Sequence, residues 1–318
     1  MMLNRMLESA ASIAIGGHIR PDGDCVGSVT GLSRYIKDNC EGKEVDVYLE
    51  EVPEKFRFIK ETESIKHEVP EGKVYDLFIC LDCGSLDRLG FSVPLFESAK
   101  HTLCIDHHIS NLNFGEESYI VPDASSTSEL VYQLLDKEKI SKETAEALYL
   151  GIVHDTGVFQ YSCTSPSTHR MAADLLERGV NAPKIIEDTY YEKTYAQHQV
   201  LGRALLESIM FFDGRCIASY IRQREMKFFG VNRSDLDGIA SQLRNTKGVE
   251  VAIFMDEINT NVYQVSMRSG DLVDVSIIAR YFGGGGHKKA AGFTLAGTPY
   301  DVINNISKQI AFQLEKEA

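Results

Sequence analysis

Along the first half of the chain, short dense apolar runs alternate with longer stretches in which apolar residues recur every three or four positions. The dense runs are SIAIG at 12–16, EVDVYLE at 44–50, VYDLFICLD at 74–82 and HTLCID at 101–106. Each reads as a strand. The third is apolar almost throughout, as a strand covered on both faces must be. Helical spacing runs from Gly27 and Ser28 to about Asn39, and again over 127–138, 142–153 and 167–178, the last closed by Gly179 as a C-cap. The opening MMLNRMLESAASIAIGG reads as a helix leading into the first strand. Strands alternating with helices predict an α/β layer around a mainly parallel sheet. Ligands of such sheets bind beyond the carboxyl ends of the strands.

The pattern then changes. Residues 184–207 have little strand character and read as a helical connector. Beyond them, 215–221, 249–257 and 261–269 read as strands, the last two joined by the hairpin-like INTN. Residues 235–244 and 299–315 read as helices. The expected organisation is an N-terminal parallel-sheet domain (1–185), a connector (186–207) and a smaller α+β domain (208–318). A length of 318 residues fits two cores.

Composition narrows the function. A net charge of −13 argues against a broad footprint on long duplex nucleic acid. It leaves room for a small anionic substrate held through metal ions. No apolar run reaches the ~18 residues of a membrane helix. Glu8 and the short apolar stretch after it disfavour a signal peptide, so a cytoplasmic protein is expected. Seven scattered cysteines suggest reduced thiols. Cys80 and Cys83 form a lone CxxC, read as two half-buried structural residues rather than a zinc or redox site.

Four short segments carry chemistry. The first is His18-x-x-x-Asp22-x-Asp24, read as a loop after the first strand and punctuated by Pro21 and Gly23. Carboxylates with imidazole suit manganese, iron or zinc, although a polar turn using the same aspartates on backbone amides has the same letters. The second is Asp82, at the end of the apolar strand, where a helix cap is the plainer reading. The third is Asp106-His107-His108, again after a strand; a satisfied surface pair is its alternative. The fourth is Asp155 in GIVHDTGVFQ, with His154 beside it as a structural or supporting residue. The set says more than its parts, because strand and helix ends deliver all of them to one rim. His18, Asp22, Asp24, Asp82, His107 and Asp155 together make a plausible dinuclear centre. Two metals bridged by carboxylates can generate a hydroxide at neutral pH and stabilise a leaving oxygen. Toward the C-terminus, Arg268 can fork onto a phosphate, with Ser269 beside it. Gly284, Gly285 and Gly286 can bring backbone N–H groups close to one, with His287 adding a donor. A flexible linker is the other reading of the glycines. Lys288 and Lys289 read as a solvated pair.

HIRPDGD, Asp82, IDHHISNLNFG and HDTGVFQ, in that order, resemble the four-motif signature of the DHH phosphoesterase superfamily. VSMRSG…DVSIIARYFGGGGHKKAAGF is similar to the signature of the DHH-associated C-terminal domain of the first type. Together they span nearly the whole chain. The layout most resembles the oligoribonuclease and 3′-phosphoadenosine-5′-phosphate phosphatase branch. The resemblance implies two divalent ions, usually Mn2+. His18 and Asp22 would hold one, Asp24, His107 and Asp155 the other, and Asp82 would bridge them. It implies that His108 meets the scissile phosphate, that Asp106 supports the histidines, and that the C-terminal residues hold the substrate across a cleft between the domains. Short RNA and small nucleotides are the implied substrates. Cyclic or linear dinucleotide (c-di-AMP or pApA) phosphodiesterase activity is the nearest alternative, and a non-catalytic nucleotide-binding regulator the alternative outside enzymes. A homodimer is compatible with the sequence.

Overall fold

The computed structural model describes residues 2–315, and the chain divides into two compact units after Glu192. The connector expected over 186–207 therefore falls on both sides of the division.

The first unit runs through α1 (Met2–Ser9), β1 (Ser12–Gly16), α2 (Gly23–Asn39), β2 (Glu44–Tyr48), β3 (Ile65–Lys66), β4 (Leu77–Leu81), α3 (Val93–Ser98), β5 (His101–Asp106) and β6 (Glu117–Ile120). The helices α4 (Thr127–Leu134), α5 (Lys142–Asp155), α6 (Pro166–Glu177) and α7 (Ala182–Ile186) complete it, with a π-helical turn at Glu187–Tyr191. The sheet order is β3-β2-β1-β4-β5-β6, parallel throughout. This is a doubly wound order that reverses direction between β1 and β4, where such sheets bind their ligands. Ile13 and Ile15 of β1 face one core with α2 and α5, and Ala14 faces the other with Phe78, Cys80 and Cys104. Cys80 and Cys83 are fully buried rather than half-buried.

The second unit holds α8 (Tyr195–Leu206), β7 (Ile209–Phe211), β8 (Cys216–Ile221), α9 (Gln223–Phe229), α10 (Ile239–Arg244), β9 (Val251–Asn259), β10 (Val262–Ser269), α11 (Val275–Tyr281), β11 (Gly285–His287), β12 (Ala290–Ala296) and α12 (Pro299–Leu314). Its mixed sheet, β11-β12-β10-β9-β8-β7, is parallel only at β8–β9. Val265, Met267 and Ile253 pack with α11 and α12 on one face. Ile217, Ala252 and Phe254 pack with α8 and α10 on the other.

The elements depart from expectation where local chemistry overrides periodicity. The helix read from Gly27 begins at Gly23, because the Asp22 carboxylate accepts the N–H groups of Asp24 and Cys25 as an N-cap. The helix read over 127–138 stops at Leu134 and is followed by a 3-10 turn at Lys137–Lys139. The helix read over 235–244 is a 3-10 turn at Arg233–Leu236 and then α10, separated by Gly238 at φ +89°. The edge strands β3, β6 and β7 are only two, four and three residues long, too short for a periodic pattern to mark them. Gly179, at φ +89°, closes α6 as expected.

Candidate active site

β1, β4 and β5 end side by side, and each hands the chain to a polar residue. His18 follows β1 and is 5% exposed. Its Nδ1 bonds Ile19 O at 2.8 Å, leaving Nε2 free to turn toward the aspartates. Asp82 follows β4, is 2% exposed and takes φ +54°. A non-glycine residue in that region costs about 1–3 kcal/mol and tends to persist where function holds it. Asp106 closes β5 and is fully buried. It accepts the His107 N–H at 2.8 Å and the Asn111 side-chain amide at 2.8 Å, and pairs with His108 Nδ1 at 2.7 Å.

Asp24 and Asp155 arrive from helices. Asp24 lies in the first turn of α2, not in a loop, and is fully buried. Its two oxygens accept the N–H groups of Thr127 (2.6 Å) and Ser128 (2.9 Å) at the start of α4. Asp155 ends α5. The two helices come this close because glycines face each other: a Cβ on Gly27 would lie 2.4 Å from Ala147 O, and one on Gly151 would lie 2.6 Å from Asp24 Oδ1.

Asp82 is the hub. Its Oδ2 is 3.5 Å from His18 Nε2, which is itself 3.6 Å from Asp22 Oδ1. Its Oδ1 faces the opposite set: His107 Nε2 at 3.7 Å, His108 Nδ1 at 3.6 Å and the Thr127 hydroxyl at 3.1 Å. His107 Nε2 is 3.0 Å from Asp155 Oδ2. Three groups bring ligand atoms within 4.8 Å of one another: His18 with Cys25 and Asp82, Asp82 with His107 and His108, and Asp24 with His107 and Asp155. All six residues expected to hold metal thus meet around Asp82, with His108 and Asp106 adjoining.

The electrostatics match a cation site. Burial opposes the charged form of His18, yet the Asp22 and Asp82 carboxylates raise it to about 11. Burial and the charges of Asp82 and Asp155 push the Asp24 carboxyl well above its ordinary range. Burial likewise opposes protonation of His107, and Asp155, Asp82 and Asp24 overcome it. Such crowding of negative charge is relieved by a divalent ion, with imidazole as a neutral ligand. The oxygen-rich donors with imidazole fit manganese, iron or zinc.

Cys25, Thr127 and Ser128 were not among the residues singled out from sequence. Thr127 and Ser128 hold Asp24 through backbone amides, which sequence does not display, and Thr127 adds its hydroxyl to Asp82. Cys25 sits one residue past Asp24, and only the helix starting at Gly23 turns its sulfur toward His18. His154 is supporting, as expected: it bonds the Thr189 hydroxyl at 2.9 Å and packs against Gly23.

In the second unit, Arg268 and Ser269 alternate on β10 and so point to opposite faces. Arg268 shares the half-buried face with Gln264 and Ser266. Ser269 is buried, and its hydroxyl donates to Lys288 O at 3.2 Å. Residues 285–287 form β11, an exposed edge strand, rather than an open loop. A Cβ on Gly284 would lie 2.2 Å from Gly292 O and one on Gly286 2.5 Å from Ala290 O, so both are required by sheet packing; around Gly285 the space is open. Lys289 pairs with Asp271 at 2.7 Å.

Aspartates and histidines gathered at the carboxyl ends of a doubly wound parallel sheet define a metal-dependent hydrolase class. The DHH family N-terminal domain matches residues 12–152, and the DHHA1 domain matches 213–316. The bifunctional oligoribonuclease and PAP phosphatase NrnA of Thermus thermophilus is 30% identical over 91% of this chain and 86% of its own length. NrnA of Bacillus subtilis is 26% identical over 92% of each. An exopolyphosphatase-related protein from Bacteroides fragilis superposes with a TM-score of 0.88 at 26% identity, over 99% of this chain and 95% of that one. Exonuclease RecJ bound to manganese shares the fold at a TM-score of 0.52 and 14% identity, over 98% of this chain and 92% of that one. The chain belongs to the DHH family and is a phosphoesterase. Its similarity to NrnA-type enzymes runs through both domains. Among the described residues, no helix is long and apolar enough to cross a membrane.

Proposed function

We propose that this protein is a manganese-dependent phosphoesterase that hydrolyses short oligoribonucleotides to mononucleotides, and 3′-phosphoadenosine 5′-phosphate to AMP. The observation that carries the two-ion reading is the Asp82 carboxylate. One oxygen faces His18 and the other faces His107, as a bridging ligand requires. In this reading His18 and Asp22 would hold one ion, Asp24, His107 and Asp155 would hold the other, and Asp82 would serve both. Two bound ions would supply a water acidic enough to ionise at neutral pH and would neutralise charge on the phosphate.

The chain's own groups do the rest. Asp106 engages His108 Nδ1 and orients the ring, which would supply a proton to the leaving oxygen. The Thr127 hydroxyl fixes the rotation of Asp82, and the start of α4 fixes Asp24. Arg268, Gly285 and His287 are assigned to the nucleotide's phosphate and sugar, with Ser269, Gly284 and Gly286 shaping the strands that carry them. Similarity to NrnA over most of the chain supports this substrate class. Free cysteines throughout fit a reducing cytoplasm.

The test is a panel of RNA dinucleotides, longer RNA, cyclic dinucleotides, the adenosine bisphosphate and pyrophosphate, each with manganese. Wild-type protein should release mononucleotide from the RNA dinucleotides and AMP from the bisphosphate, and Asp82→Ala should lose both while staying folded. A folded Asp82→Ala protein with wild-type turnover would sink the ligand assignment. A wild-type protein inert on both substrates would sink the substrate assignment.

A further inference from the structure

Metal ions held by these carboxylates and imidazoles would engage a phosphate, so selection for a nucleotide must come from neighbouring groups. Just after Asp155 the backbone does something unusual. Gly157, Val158 and Phe159 take φ of +57°, +57° and +63° in succession. A β-branched and an aromatic residue rarely adopt that region, and a consecutive pair needs a cause. Thr156, fully buried, supplies the hold. Its hydroxyl donates to Ile152 O at 2.6 Å and accepts the Phe159 N–H at 3.0 Å. Its carbonyl accepts the N–H groups of Gln160 and Tyr161, both at 2.9 Å.

The turn folds Tyr161 back over Gly157. A Cβ at Gly157 would lie 2.4 to 2.6 Å from Cζ, Cε1 and Cε2 of the Tyr161 ring. One ring face therefore rests on bare glycine backbone, while the residue as a whole stays 47% exposed. Its hydroxyl is 3.4 Å from that of Tyr190. Tyr190 packs edge-on against His154 with ring centroids 5.6 Å apart, and His154 lies on Gly23, between Asp22 and Asp24. Two residues past Tyr161, the Cys163 sulfur returns to within 3.7 Å of Asp155 O. The ring is thus fixed at the rim of the aspartate–histidine cluster by contacts on one face and at its tip.

We propose that Tyr161, seated on Gly157 and steadied by Tyr190, is a stacking platform for the base of the nucleotide whose phosphate is cleaved. This rests on the phosphoesterase reading of the same site. Every base has a π-face, so such a platform accepts nucleotides without strong base preference and disfavours phosphate esters that lack a base. A ring already held in place also loses little freedom on binding.

The experiment compares kcat/KM for an RNA dinucleotide with that for the base-free sugar–phosphate dimer, with manganese, in wild type, Tyr161→Ala, Tyr161→Phe and Tyr190→Phe. Stacking predicts that Tyr161→Ala lowers the ratio of the two by about 5- to 100-fold, mainly through KM of the dinucleotide. Tyr161→Phe keeps the ring and should keep the ratio, and Tyr190→Phe should fall between. An unchanged ratio in Tyr161→Ala overturns the platform, as does an equal loss on both substrates. Wild-type protein inactive on the dinucleotide overturns the oligoribonucleotide assignment and the platform with it; normal wild-type turnover with an unchanged ratio overturns the platform alone.

Discussion

Gly27→Ala tests whether the close approach of α2 and α5 builds the site. The added Cβ would lie 2.4 Å from Ala147 O, 2.8 Å from Gly151 N and 3.1 Å from Gly151 Cα. All three are backbone atoms of α5, so no side-chain rotation can relieve the contact. The nearest is about 1 Å inside ordinary contact, and the helices must part by about that much. Alanine gains about 1 kcal/mol over glycine in a helix interior. Overpacking against a rigid wall costs about 1–3 kcal/mol, here toward the upper end. The net loss is about 1–2 kcal/mol, or about 2–8 °C in the melting of a unit this size. Asp24 rides on α2 and Asp155 on α5, so the same shift pulls two donors apart. A misplacement of about 1 Å costs on the order of 100-fold in turnover. Gly202→Ala in α8 is the control: a Cβ there meets nothing within 4 Å, so only the helix preference remains. It should stabilise the second unit by about 0.5–1 kcal/mol. Thermal melts followed by circular dichroism, with kcat for dinucleotide hydrolysis, decide the matter. Gly27→Ala melting at or above wild type with full activity would refute the close-packing argument.

Thr127→Val removes the hydroxyl 3.1 Å from Asp82 Oδ1 but keeps the shape and the Thr127 N–H that holds Asp24. A hydrogen bond to a charged group is worth about 1.5–3 kcal/mol, so kcat/KM should fall about 10- to 100-fold with the melting temperature nearly unchanged; unaltered kinetics would remove Thr127 from the site. Asp76 tests acid stability at the other end of the sheet. It pairs with Lys100 and accepts the N–H groups of Ser12 and Ala11, which together hold its carboxyl well below the ordinary range. The folded form therefore favours the carboxylate: its contribution is complete above the ordinary Asp value and is lost as pH falls through the lowered one. Urea midpoints across acidic pH should drop less steeply in Asp76→Asn than in wild type, and parallel curves would refute the linkage.

The strands that carry the site were legible because a buried parallel strand must be apolar on both faces, and β1, β4 and β5 leave little room for another reading. Their polar successors, His18, Asp82 and Asp106–His108, were then legible as one rim. The edge strands β3, β6 and β7 were not, since segments of two, four and three residues are too short to show a period. The start of α2 was missed for a more instructive reason. Asp22-Gly23-Asp24 reads equally as a turn or as an N-cap, and the N-cap won because the Asp22 carboxylate meets two orphan N–H groups. That choice has a consequence for the chemistry. Once Asp24 lies inside a helix, its backbone is fixed relative to Gly27, and through Gly27 relative to α5 and Asp155. The two competing readings of these aspartates, backbone satisfaction and metal ligation, then cease to compete. Asp22 caps α2, and Asp24 accepts the first amides of α4. A carboxylate has about four lone-pair sites, so each keeps capacity for a cation after those bonds are made. The hydrogen bonds that looked like the alternative to a metal site are what would hold its ligands in place.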